Sequence, residues 1–175
     1  MKALFPSAVL GTALLMNACG DGKSDAAKQM AAAADSARAA ATVDLAEYHM
    51  PLVLEMPTGA PVPTLVWKDE IGKLAVRAGD HFAIEISEAP ADMERLKADL
   101  DRDLLKKNTI VEEKPELIIY RSEFPDDTAL VFYHFDRSVT ADGRIFHIED
   151  ADDGTPFTLE DVNKMATAVH VKSPA

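Results

Sequence analysis

Four residues in the last third of the chain have the types and spacing that chemistry needs: His134, Asp136, His147 and Glu149. His134 and Asp136 are two positions apart, as are His147 and Glu149, so each pair shares one face of an extended strand. Between the pairs lies Asp142-Gly143, a favoured two-residue hairpin turn. A hairpin closed there sets Ala141 opposite Arg144, Ser138 opposite His147 and Asp136 opposite Glu149. All four residues then face one way, while Val131, Tyr133, Phe135, Val139, Phe146 and Ile148 face the other and form core. Two imidazoles and two carboxylates on one surface are a donor set for zinc or another divalent ion. They are equally an acid and a base within reach of each other. The same pattern also describes the polar side of a half-buried sheet whose histidines are ordinary hydrogen bonders, and a one-residue slip would part the neighbours.

Other chemistries find less support. Asp150-Ala151-Asp152-Asp153-Gly154 invites comparison with a calcium loop, but glycine falls at position five where that loop needs it at six; a solvated acidic turn is expected. The chain contains no Gly-x-Ser-x-Gly and no His-Glu-x-x-His. Its 8 glycines are scattered, without a phosphate-cradling run. Trp67 and Tyr48 are candidates for a ligand groove, although a tryptophan beside Val66 also suits a core. No cofactor is expected, and the ligand-binding residues are open.

The elements that must position these residues are legible from periodicity. Pro51 to Pro57 is a short strand closed by proline at each end. Thr64–Trp67 and Leu74–Arg77 follow as strands, and Phe82, Ile84 and Ile86 alternate onto one face of the next. Pro90 opens a helix with Asp92 and Glu94 favourably placed in its first turn; Met93, Leu96, Leu100 and Leu104 line one face, and Asn108 ends it. Leu117–Tyr120 and Ala129–Phe135 are too continuously apolar for a sheet edge, and Arg144–Ile148 completes the hairpin. Thr158 and Asp161 form a variant capping box for a last helix whose Leu159, Val162, Ala166 and Val169 face inward. The fold class expected is α+β, a mainly antiparallel sheet with two packed helices.

The first 43 residues have another character. Lys2 precedes an uncharged stretch to Ala18 that is apolar enough to enter a translocon but shorter than the roughly 20 residues of a membrane helix. A short positive start, an apolar run and small residues at its end describe a secretory signal. Leu15-Met16-Asn17-Ala18-Cys19-Gly20 resembles the lipobox of bacterial lipoproteins, with Asn17 in place of the usual small residue. The resemblance implies cleavage before Cys19 and lipid on its sulfur. Cys19 is the only cysteine, so neither an intramolecular disulfide nor a cysteine-based metal site can form. In Gram-negative lipoproteins an Asp after the cysteine commonly signals inner-membrane retention; Gly20 here implies the outer membrane.

Residues 19–43 are alanine-rich, with almost nothing large to bury, and read as a tether reaching ~36 Å if helical or ~80 Å if extended. The expected organisation is therefore a signal peptide (1–18), a lipidated cysteine and tether (19–43) and one α+β domain (44–173). The formal charge is −12, and removing Lys2 with the signal leaves 17 basic residues against 30 acidic ones. Such a surface repels nucleic acid and anionic headgroups, so the lipid must hold the protein to the membrane. The order of elements and the closing Phe157–Met165 segment resemble small bacterial envelope lipoproteins and, loosely, the PsbP-like α/β/α sandwich. That resemblance brings no catalytic motif. The expectation is a tethered, non-enzymatic binding or interaction module with an envelope protein as its partner, and the alternative is a metal-binding protein or metal-assisted hydrolase using the His134/His147 face.

Overall fold

Period-two alternation builds most of the domain. The computed structural model describes Lys28, Met30 and residues 42–173, so the expected signal peptide, Cys19 and most of the tether lie outside the described residues. The strands are β1 (Thr42–Asp44), β2 (Leu52–Glu55), β3 (Thr64–Lys68), β4 (Lys73–Arg77), β5 (Ala83–Ser87), β6 (Lys107–Lys114), β7 (Leu117–Phe124), β8 (Asp127–Ala141), β9 (Arg144–Asp150) and β10 (Val169–Val171). Two helices, α1 (Met93–Arg102) and α2 (Leu159–Ala168), interrupt them. Strands β3-β4-β5-β9-β8-β7-β6 form a seven-stranded sheet and β1-β2-β10 a three-stranded one. Every pairing is antiparallel. The α+β class expected from the sequence is the class observed.

One face of the large sheet carries the core. Leu74, Val76, Ile84, Ile86, Phe135, Phe146 and Ile148 are buried there in one cluster with Leu52 and Leu54 of β2 and Val162 and Met165 of α2. Helix α2 is locked in place at its start. The Thr158 hydroxyl accepts the Asp161 amide at 3.2 Å, and the Asp161 carboxylate accepts the Thr158 amide at 3.0 Å, a complete capping box. Val169 faces inward as expected, but as the first residue of β10. Arg137, on the same sheet face as Phe135, donates to the carbonyls of Ala166 (2.7 Å) and Val169 (3.0 Å), placing a cation where the helix dipole is negative.

Helix α1 lies on the opposite side and buries no residue fully. It starts at Met93 and not at Pro90, and Asp92, expected in the first turn, is instead its cap, accepting the Arg95 amide at 2.9 Å. The helix ends at Arg102, where the Asp103 carboxylate reaches forward to accept the amides of Leu105 (2.8 Å) and Lys106 (3.1 Å), a local alternative to the helical ladder. Leu104, expected on the inner face, is consequently 96 % exposed. Asn108, expected to end the helix, lies beyond it within β6, and its side-chain amide reaches back to donate to the Leu100 carbonyl at 3.0 Å.

Three strands escape the sequence reading. β6 is an edge strand of charged and polar residues with a bulge between Ile110 and Glu112, so it shows no clean alternation. β1 and β10 are three residues each, too short for a period. β1 begins at Thr42, two residues ahead of the expected domain start, and pairs Val43 with Leu54.

Candidate functional site

The site is built on the hairpin of β8 and β9. Asp142 and Gly143 both take positive φ (52° and 74°), the backbone that a two-residue turn of this hand requires. The register is the expected one: Asp136 opposite Glu149, Ser138 opposite His147, Ala141 opposite Arg144. Phe135, Val139, Phe146 and Ile148 are buried on the far face, and Tyr133 packs partly against them.

The structure brings three of the four expected residues together. One ligand atom each from Asp136, His147 and Glu149 lie within 4.8 Å of one another. His147 donates from Nε2 to Asp136 Oδ1 at 2.8 Å. That hydrogen bond raises the imidazole pKa; burial opposes it, the charges of Glu149 and Asp136 reinforce it, and Lys73 weakens it. Glu149 accepts from Lys73 at 2.5 Å. Lys73 also donates to Glu85 at 3.1 Å, and Glu85 accepts from Lys68 at 2.5 Å, so an ionic ladder crosses β3, β4, β5 and β9. Burial pulls against the charge of Lys73, yet Glu149 and Glu85 hold its ammonium above the usual lysine range.

His134 goes elsewhere. Its Nδ1 donates to Asp150 Oδ2 at 2.8 Å, and its ring stacks on Tyr120 with centroids 5.0 Å apart. Asp150 was expected in a solvated turn, but it is buried, and its second oxygen accepts the Phe135 amide at 2.8 Å. The rest of that turn fits the expectation better: Asp153 is half-exposed, pairs with Arg77 and accepts the Thr155 amide.

Two small grooves flank the cluster beneath α1. One, about 240 Å³, runs from Met93 and Leu96 down to Asp136 and His147. The other, about 210 Å³, is bounded by Leu100, Tyr120 and His134 and floored by Asp136, Glu149, Asp150 and Asp152. Burial, and then the charges of Asp136, Asp150, Glu149 and Asp152, push the Tyr120 phenol well above its ordinary pKa. A roomier groove of about 520 Å³ opens at the start of α2, between Pro57, Pro61, His81, Phe82 and Asp161. Its carboxylate is committed to Thr158 and lies 3.3 Å from His81.

Comparison of the chain with protein-family models, with curated proteins and with solved structures finds no match. The site must be read from its own geometry.

Lys73, Glu85 and Tyr120 belong to this surface and carry no site expectation from sequence, and Asp150 enters there only as the first residue of a solvated acidic turn. Asp150 had a usable signal: next to Glu149 on β9, it takes the core-facing parity, where a carboxylate must find donors. Lys73 and Glu85 had none, because their meeting with Glu149 depends on strand order. Trp67 lies on the outermost strand opposite Leu74, and Tyr48 ends a 3-10 turn before β2, half-buried against the core. Among the described residues, no helix is long and apolar enough to cross a membrane.

Proposed function

We propose that this chain is an exported envelope lipoprotein, held on the membrane by lipid on Cys19, whose folded domain is a non-enzymatic binding module. The anchor rests on one observation: the sole cysteine of the chain directly follows Ala18 at the end of a short apolar signal. One acyl chain gives only marginal attachment and two or more give a stable one, which fits a lipidated cysteine on a protein whose acidity repels headgroups. Gly20 favours the outer membrane.

The geometry of the polar face suits an interaction surface better than a substrate pocket. His147 is aimed at Asp136, His134 at Asp150, and Glu149 at Lys73, so these groups converge on each other. The grooves beside them, about 210 and 240 Å³, fall below the roughly 300–1,000 Å³ of pockets that enclose organic ligands.

Fractionation of cells producing the full chain tests the anchor. The wild type is expected in the membrane fraction with a mass raised by acyl groups, and Cys19→Ser in the soluble fraction without them. A Cys19→Ser protein that stays in the membrane with unchanged mass overturns the reading.

A further inference from the structure

We infer that Asp136, His147 and Glu149 bind one divalent first-row transition-metal ion, a site that goes beyond the proposed module and takes up the metal-binding alternative for this face. The ligand set differs from the one the sequence suggests, because His134 is turned into Asp150 and only one imidazole remains.

Three features of the cluster suit an ion. Its donors come from adjacent positions of one registered hairpin, so two strands already hydrogen-bonded to each other hold them in place. The His147 Nε2 and Asp136 Oδ1 atoms lie 2.8 Å apart and share a proton. An ion about 2.0–2.1 Å from each donor takes the place of that proton once the imidazole and the carboxylate turn to meet it beside the line between them and Glu149 swings in from Lys73. The flanking grooves leave room for water to complete the coordination shell, and they are too small for a bulkier ligand.

The charges around the cluster make the exchange feasible. Glu149 is held by Lys73, but Lys73 keeps Glu85 when Glu149 turns to a metal, so no ammonium is stranded. Asp150 and Asp152 add negative charge to the same groove, against one cation, Lys106, in its lining. One imidazole and two carboxylates form a borderline-to-hard donor set, suited to zinc, manganese or ferrous iron and not to a soft ion.

Titration calorimetry with zinc chloride tests this on the full chain carrying Cys19→Ser, stripped with chelator, so that no thiol competes. The expected result is one zinc per chain and a Tm that rises with added zinc, as a ligand of the native state demands. His147→Gln, Asp136→Asn and Glu149→Gln should each weaken binding by roughly tenfold or more, since even a residue behind a ligand costs that much. His134→Gln should bind as the parent does, and circular dichroism should show all four variants folded without metal. Absence of stoichiometric zinc, zinc binding that survives His147→Gln, or an equal loss in His134→Gln overturns the inference. Because the thiol and its lipid are absent from this protein, such a failure leaves the Cys19 anchor untouched, and a failed anchor leaves the zinc result standing.

Discussion

The Asp150 carboxylate joins two strands where their own ladder has stopped: one oxygen accepts His134 Nδ1 at 2.8 Å and the other accepts the Phe135 amide at 2.8 Å. The β8–β9 pairing ends at Asp136 opposite Glu149. Just beyond it the buried Phe135 amide needs an acceptor, and Asp150 provides one.

This makes the two partners unequal. Asp150→Ala leaves a buried amide unsatisfied and should cost about 2–3 kcal/mol in urea denaturation. His134→Gln keeps a side chain able to donate to Asp150 and should cost less than about 1 kcal/mol. Equal losses would show that the histidine, and not the amide, is what Asp150 serves.

Arg137 should be a stability residue and not a site residue. Its guanidinium spans the last carbonyls of α2 and the first of β10, and although burial lowers its pKa, it remains charged. Arg137→Met keeps an apolar stem and removes both charged hydrogen bonds. The expected loss is about 2 kcal/mol, a fall of roughly 5–10 °C in Tm. A Tm within a degree of wild type would mean that water caps the helix as well as arginine does.

Asp161 supplies an acid-sensitive share of stability. Burial alone would raise its pKa, but the Thr158 hydroxyl and amide, with His81 beside them, hold it below the ordinary aspartate value. A carboxylate depressed in the folded state contributes above its unfolded pKa of about 3.9 and loses that contribution as pH falls through the lower folded value. Wild type should therefore exceed Asp161→Asn in urea midpoint at pH 7, and the gap should close as pH falls below about 4. A gap that is constant from pH 7 to pH 3 would place the effect in packing.

Local chemistry was legible wherever a signal depends on neighbours in sequence. The turn at Asp142-Gly143 fixes which residues of β8 face which residues of β9, so the Asp136–Glu149 and Ser138–His147 pairings follow from spacing alone. The Thr158–Asp161 cap is likewise a matter of three residues. The α+β class follows from the count and period of such segments, and the lipobox resemblance from the order Ala18-Cys19.

What only the tertiary structure decided is who meets whom across non-local strands. β5 lies beside β9, and this alone brings Lys73 and Glu85 to Glu149. The end of the β8–β9 ladder draws Asp150 onto the Phe135 amide, and His134 with it, which takes one residue from the expected four-residue face and leaves a triad. Spacing fixes the face a side chain occupies, because strands alternate strictly. Its partners are set by strand order and by which buried backbone group lacks an acceptor, and both are settled only when the whole sheet has closed.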